Sequence, residues 1–165
     1  MKYLALDQAL KTSGWAIFYN TELEKIGTIE TSPIYSIHIR LGTIWKHLDM
    51  LFEQEKFEYI FLEDTQKQTN LETYKKLCYV QAVILLWCFH HGVGYTILSP
   101  SHWRKILKDK FGVSFGRKRE EQKRAAVNWV KEKYVSFQNI SEDEADAVCI
   151  GIAGIAELDK NRSAW

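Results

Sequence analysis

The chain opens on an apolar run that ends in an acid. Residues 3–7 (YLALD) have the length of a buried strand, and the polar stretch 8–13 breaks it. Residues 14–19 (GWAIFY) and 25–31 (KIGTIET) read as two more strands, joined across 20–24, which predicts an antiparallel meander. Pro33 closes this segment, and the period then changes. Ile37, Leu41, Ile44, Leu48 and Leu51 recur at helical spacing, one stripe of an amphipathic helix over 36–55. Tyr59–Glu63 (YIFLE) is a fourth strand and the second to end on a carboxylate. A polar loop, 64–70, follows it.

Residues 71–90 form a second long helix. Its part 79–89 (YVQAVILLWCF) is apolar nearly all round. Such a helix has no solvated face and must be buried on two sides. One side can cover the sheet. For the other, a second copy of the chain is the simplest partner, the alternative being a deep core helix of a monomer. Residues 92–94 end the helix and 95–98 make a fifth strand. Ser99 and Pro100 set an N-cap and a first-position proline for a short helix reaching Lys108. After a glycine-bounded loop, 111–116, a basic helix spans 117–134 with Ala126, Val127, Val130 and Tyr134 as its stripe.

The last helix opens at Ser141, where Ser141 and Glu144 make a capping-box pattern. Ala145, Val148, Ile152 and Ile155 recur at helical spacing, and Gly151 and Gly154 permit close packing. The order predicts an α/β fold with a five-stranded mixed sheet and helices on both faces. With no internal repeat or linker, residues 1–165 read as a single domain.

Composition narrows the class. A chain of 165 residues with 46% hydrophobic content supports one core. No apolar run suits a bilayer, and Asp7 comes too early for a signal peptide, so the expectation is a cytoplasmic protein without membrane contact. Cys78, Cys88 and Cys149 sit in apolar helical context and read as reduced core residues. The net charge of +1 hides an asymmetry. From Arg104 to Lys133 there are eleven basic and four acidic residues, against eleven and seventeen elsewhere. A basic block is often a solvated helix face. Set apart from a carboxylate-rich remainder, this one suggests a polyanion partner beside a cation site.

The carboxylates are the chemistry. Asp7 and Glu63 end two strands that a crossover helix can place side by side and parallel. Asp143 and Asp146, three apart, share a face of the last helix. Acids in a first turn can simply favour the helix dipole, by about 0.3–1 kcal/mol each. Gathered with Asp7 and Glu63, they could not all stay ionised without cations. Hard oxygen ligands suit Mg²⁺ or Mn²⁺, and two such ions about 3.5–4 Å apart serve phosphodiester hydrolysis. Glu144 is better explained by the cap, and Asp64 is expected on the opposite side of the strand from Glu63. His90 and His91 read as capping or surface residues. Trp103 and Phe115 can stack on bases or pack in the core.

Here the sequence resembles a family. LALDQALKTSGWAI, YIFLEDT and SEDEADAVCIG match in order and spacing the acidic motifs of RuvC-type Holliday-junction resolvases, which have the RNase H-like fold. The resemblance covers nearly the whole chain. It implies metal ligation and catalysis by Asp7, Glu63, Asp143 and Asp146, and a homodimer through helix 71–90. It places Arg104 near a basic residue used close to the scissile phosphate, with Lys118 as a second. Lys105, Arg119 and Lys123 join these as candidate DNA contacts in the basic region. Two departures stand out. Gln8 and Ala9 replace the Pro-Gly usual after the first acid, and Gln66 replaces an aromatic three residues after the second. The pattern is more similar to the phage-type branch.

The reading is therefore a metal-dependent endonuclease acting on four-way or branched DNA, with Mg²⁺ or Mn²⁺ and no small-molecule cofactor. Alternatives are another RNase H-like nuclease cutting RNA in hybrids and a non-catalytic DNA-architectural dimer. A sugar-kinase-like ATPase lacks its glycine-rich phosphate loop and second lobe here.

Overall fold

The computed structural model describes residues 1–163, with side chains through Lys160. The elements run β1 (Lys2–Asp7), β2 (Thr12–Tyr19), β3 (Glu22–Glu30), α1 (Ile37–Glu55), β4 (Tyr59–Glu63), α2 (Leu71–His91), β5 (Gly94–Leu98), α3 (Pro100–Phe111), α4 (Arg119–Lys133) and α5 (Glu142–Ser163). The five strands form one sheet in the order β3-β2-β1-β4-β5. The meander is antiparallel, and β4 pairs in parallel with both β1 and β5. The expected mixed five-stranded sheet is thus present.

The meander strands start earlier than their hydrophobicity suggests. Pairing continues to Tyr19↔Glu22 across a tight turn, with Asn20 at a φ of 53° and a register shift at Ile17/Phe18. Glu22 and Glu24 belong to an edge strand exposed along much of its length, so polar residues there carry no burial signal.

Alternation along the strands divides the core. Leu4, Leu6, Ile60 and Leu62 pack with Ile44, Leu48, Val80, Ile84 and Trp87, which puts α1 and α2 on one face. Tyr3, Ala5 and Phe61 pack with Trp103, Leu107, Val130 and Val148, which puts α3, α4 and α5 on the other. Trp103 and Phe115 are core residues, 0% and 7% exposed, so stacking on bases is not open to them.

Helix ends follow local chemistry. Gly112, at a φ of 71°, closes α3 beyond the expected Lys108. The basic helix begins at Arg119, because the Glu121 carboxylate accepts from the Arg117 and Lys118 N–H groups and caps the turn before it. At α5 the expected capping box is present: Ser141 N–H donates to Glu144 at 2.8 Å, and Glu144 N–H donates to Ser141 Oγ at 3.3 Å. The helix lies hard against the sheet. A Cβ on Gly151 would meet Phe18 at 2.3 Å, and one on Gly154 would meet Phe61 at 2.2 Å.

Helix α2 buries Val80, Ile84, Trp87 and Cys88 against the sheet and α1. Tyr79, Leu86 and Phe89 point away and are exposed, Phe89 by 88%. The apolar girdle is thus half covered within one chain, and α2 is not a deep core helix of a monomer. No helix among the described residues is long and apolar enough to cross a membrane.

Candidate active site

Side-chain direction alternates along a strand, so Asp7 follows Tyr3 and Ala5 onto the α5 face, and Glu63 follows Phe61. Strands β1 and β4 run parallel in the register Leu6↔Leu62, which brings these two acids to the same end of the sheet. The first turn of α5 crosses that end. Asp7, Glu63, Asp143 and Asp146 line one cavity of about 440 Å³, together with Gln8, Asp64, Gln66, Arg104, Arg119 and Lys123. Residues separated by up to 139 positions thus converge.

Lys123 sits among the acids. Its Nζ lies 3.1 Å from Asp146, 3.6 Å from Asp143 and 3.9 Å from Glu142. Burial opposes its charge, but Asp146, Asp7 and Asp143 outweigh that and hold its pKa above the usual lysine value. The acids are strained electrostatically. Burial, with repulsion from Asp146, Glu63 and Asp143, pushes the Asp7 carboxyl well above the ordinary range. Burial also raises Glu63 and Asp146, against the pull of a Trp103 hydrogen bond on the first and of Lys123 on the second.

The donor set fits a hard divalent cation: several carboxylate oxygens on one wall and too little positive charge to balance them. Two of the carboxylates are engaged by side chains of the protein itself. Trp103 Nε1 donates to Glu63 Oε2 at 2.7 Å, and Lys123 occupies Asp146 Oδ2. Among the described residues no three acidic, His or Cys side chains stand close enough together to hold a metal as they are placed.

The basic residues divide. Arg104, Arg119 and Lys123 reach the cavity, and the Arg104 guanidinium stacks 4.6 Å above the Trp103 ring. Lys105 and Lys118 do not reach it: Lys105 is exposed and pairs with Asp109, and Lys118 precedes α4 on an exposed turn. The strand alternation expected to turn Asp64 away does not apply, because β4 ends at Glu63. Asp64 N–H instead donates to the Leu98 carbonyl, and the residue lines the cavity. Glu144 serves the cap, as expected. His91 stacks on Trp87 at 4.3 Å and pairs with Asp49, far from the acids. Sequence reading missed two contributors, Gln8 and the Trp103 indole. Only a polar residue directly after a strand-end acid, and a tryptophan beside an arginine, pointed to them.

Comparison with known proteins bears on the fold. No protein-family model matches the chain. The crossover junction endodeoxyribonuclease RuvC of Rickettsia akari is 26% identical over 155 residues, covering 91% of this chain and 94% of that protein. RuvC of Rickettsia bellii is 27% identical over 154 residues with the same coverage. Among solved structures, Thermus thermophilus RuvC in complex with a Holliday junction superposes with a TM-score of 0.73 at 16% identity, over 93% of this chain and 92% of that one. The Fowlpox virus resolvase in complex with Holliday junction DNA gives 0.63 at 14% identity, over 96% and 99%. The fold is thus the RNase H-like fold of the RuvC-type resolvases, and the resemblance read from the three acidic motifs is borne out.

Proposed function

We propose that this protein is a metal-dependent, structure-selective endonuclease that resolves four-way or otherwise branched DNA by hydrolysing phosphodiester bonds. One observation carries the reading: Asp7, Glu63, Asp143 and Asp146, from two strand ends and one helix, line a single cavity with Arg104, Arg119 and Lys123. A site for DNA binding alone gains nothing from clustered negative charge facing a phosphate.

The four carboxylates would hold Mg²⁺ or Mn²⁺, two ions per site. Cations there would activate a water for in-line attack and neutralise charge developing on the phosphate. Arg104 and Arg119 supply charge-assisted hydrogen bonds to the DNA backbone. Lys123 balances the carboxylates in the free protein and offers its ammonium to the bound phosphate. Lys105 and Lys118 contact DNA only where it extends beyond the cavity. Two copies joined along Tyr79, Leu86 and Phe89 of α2 present two sites about a two-fold axis, which suits a near-symmetric junction.

The test compares wild type with Asp146→Asn on a four-way junction, a plain duplex and an RNA–DNA hybrid, with and without Mg²⁺. Wild type should cut the junction, only with metal, and in preference to the other two. Folded Asp146→Asn should lose cutting by at least about a hundredfold and still bind the junction, as tightly or more so. Cutting within a few-fold of wild type would remove the metal-site reading, and preferential cutting of the hybrid would replace the substrate.

A further inference from the structure

Gln8 is 9% exposed, and its Oε1 is a buried acceptor with no hydrogen-bond partner. Its position explains how it is held. The parallel register of β1 and β4 runs from Tyr3↔Tyr59 to Leu6↔Leu62 and stops there. One step beyond Asp7, Gln8 Nε2 donates to the backbone carbonyl of Glu63 and takes the place of the next rung. That bond also fixes which way the amide faces. The Glu63 carbonyl can only accept, so the nitrogen must face it and the oxygen must face away.

Gln8 lines the cavity of the four acids. Gln8 shares that lining with five carboxylates, Asp7, Glu63, Asp64, Asp143 and Asp146, and with the cations Arg104, Arg119 and Lys123. Buried acceptors are as a rule satisfied in folded proteins, and one left over calls for a partner such as a water or an ion. Amide oxygens are hard, neutral ligands for the same cations that carboxylates hold.

We propose that Gln8 is a further ligand of the cation bound in this cavity. Its Oε1 adds a neutral oxygen to the carboxylate set, and its bond to the Glu63 carbonyl keeps that oxygen in register with Asp7 and Glu63. The proposal rests on the acid cavity being the metal site argued above. A fifth, uncharged oxygen raises coordination without adding to the repulsion among the acids.

Two measurements without DNA test it. The first is Mn²⁺ titration, followed by the electron paramagnetic resonance of the free ion, on wild type, Gln8→Met and Asp146→Asn. Wild type should bind, Asp146→Asn should lose binding, and Gln8→Met should bind about tenfold more weakly. The second needs no variant: the side-chain amide nitrogen of Gln8 in ¹⁵N-labelled wild type should shift on Mg²⁺ titration and saturate with the site. If Gln8→Met does not fold, this measurement decides alone. Mn²⁺ affinity of Gln8→Met within twofold of wild type, or an amide unmoved at saturating Mg²⁺, overturns the proposal and leaves Oε1 to a water. Failure of wild type to bind Mn²⁺ at all overturns the metal-site reading and the role of Gln8 with it.

Discussion

The indole Nε1 of Trp103 donates to Oε2 of Glu63 at 2.7 Å, tying α3 to the acid end of β4. Trp103 is fully buried, edge-on to Phe115 and stacked under Arg104, so water does not compete for the bond. Trp103→Phe keeps much of the ring packing but frees the Glu63 oxygen. A stability loss of about 1–3 kcal/mol is expected, with Mn²⁺ affinity and junction cutting lowered roughly 10–100-fold. Denaturant unfolding and metal titration read the two effects separately. Lost stability with unchanged metal affinity would reduce Trp103 to a packing residue.

Gly14 faces Asp7 across the β1–β2 pair, and a Cβ there would stand 2.0 Å from the Asp143 carbonyl oxygen. The obstacle is backbone, so the first turn of α5 would have to move. Gly14→Ala should therefore cost about 1–3 kcal/mol and pull Asp143 and Asp146 away from the strand-end acids. Thermal unfolding and cutting should fall together. A variant as stable and active as wild type would mean that α5 has room the structure does not show.

Helix α2 leaves Leu86 and Phe89 62% and 88% exposed. Leu86→Glu with Phe89→Lys adds charge to that face without touching Val80, Ile84 or Trp87. Wild type should run as a dimer at micromolar concentration in light scattering, and the double variant as a folded monomer. A wild-type monomer, or a variant that stays dimeric, would place the interface elsewhere.

Asp7, Glu63 and Asp146 are all held above ordinary carboxylate values, with burial the largest cause in each. The folded state therefore binds their protons more tightly than the unfolded chain. Their stabilising contribution is complete below the ordinary values of 3.8 and 4.5 and is lost as pH rises through the raised ones. Without metal, these groups make the protein less stable at neutral than at mildly acidic pH. Glu55 runs the other way: burial opposes its charge, but Lys25 and Lys2 hold its pKa low, so its contribution fades in acid. Asp146→Asn isolates the site. In metal-free buffer at neutral pH it should be more stable than wild type by on the order of 1 kcal/mol. The melting-temperature gain from Mg²⁺ should be largest near neutrality and shrink in acid. Acids that merely favour the helix dipole predict the opposite sign, a loss of about 0.3–1 kcal/mol.

The elements and their order were legible in the chain because period and capping are local. Apolar runs of strand length ending at Asp7 and Glu63, the Ser141–Glu144 box and the spacing of Gly151 and Gly154 each follow from neighbours a few residues away. The four acids were marked one by one, each near the end of an element, while their meeting in one cavity depends on the β1–β4 register and on where α5 packs. Side-chain direction at the element ends is not local. Asp64 lines the cavity because β4 stops at Glu63. Lys123 stands among the carboxylates, and Lys105 outside, because of how α3 and α4 pack on α5. Gln8 and Trp103 gained their parts from contacts with Glu63, 55 and 40 residues away. Which face of α2 is covered was likewise decided by Ile44 and Leu48 of α1 and by the sheet. The register Leu6↔Leu62 and the close seat of α5 at Gly14 set these directions, and both come from packing between segments far apart in the chain.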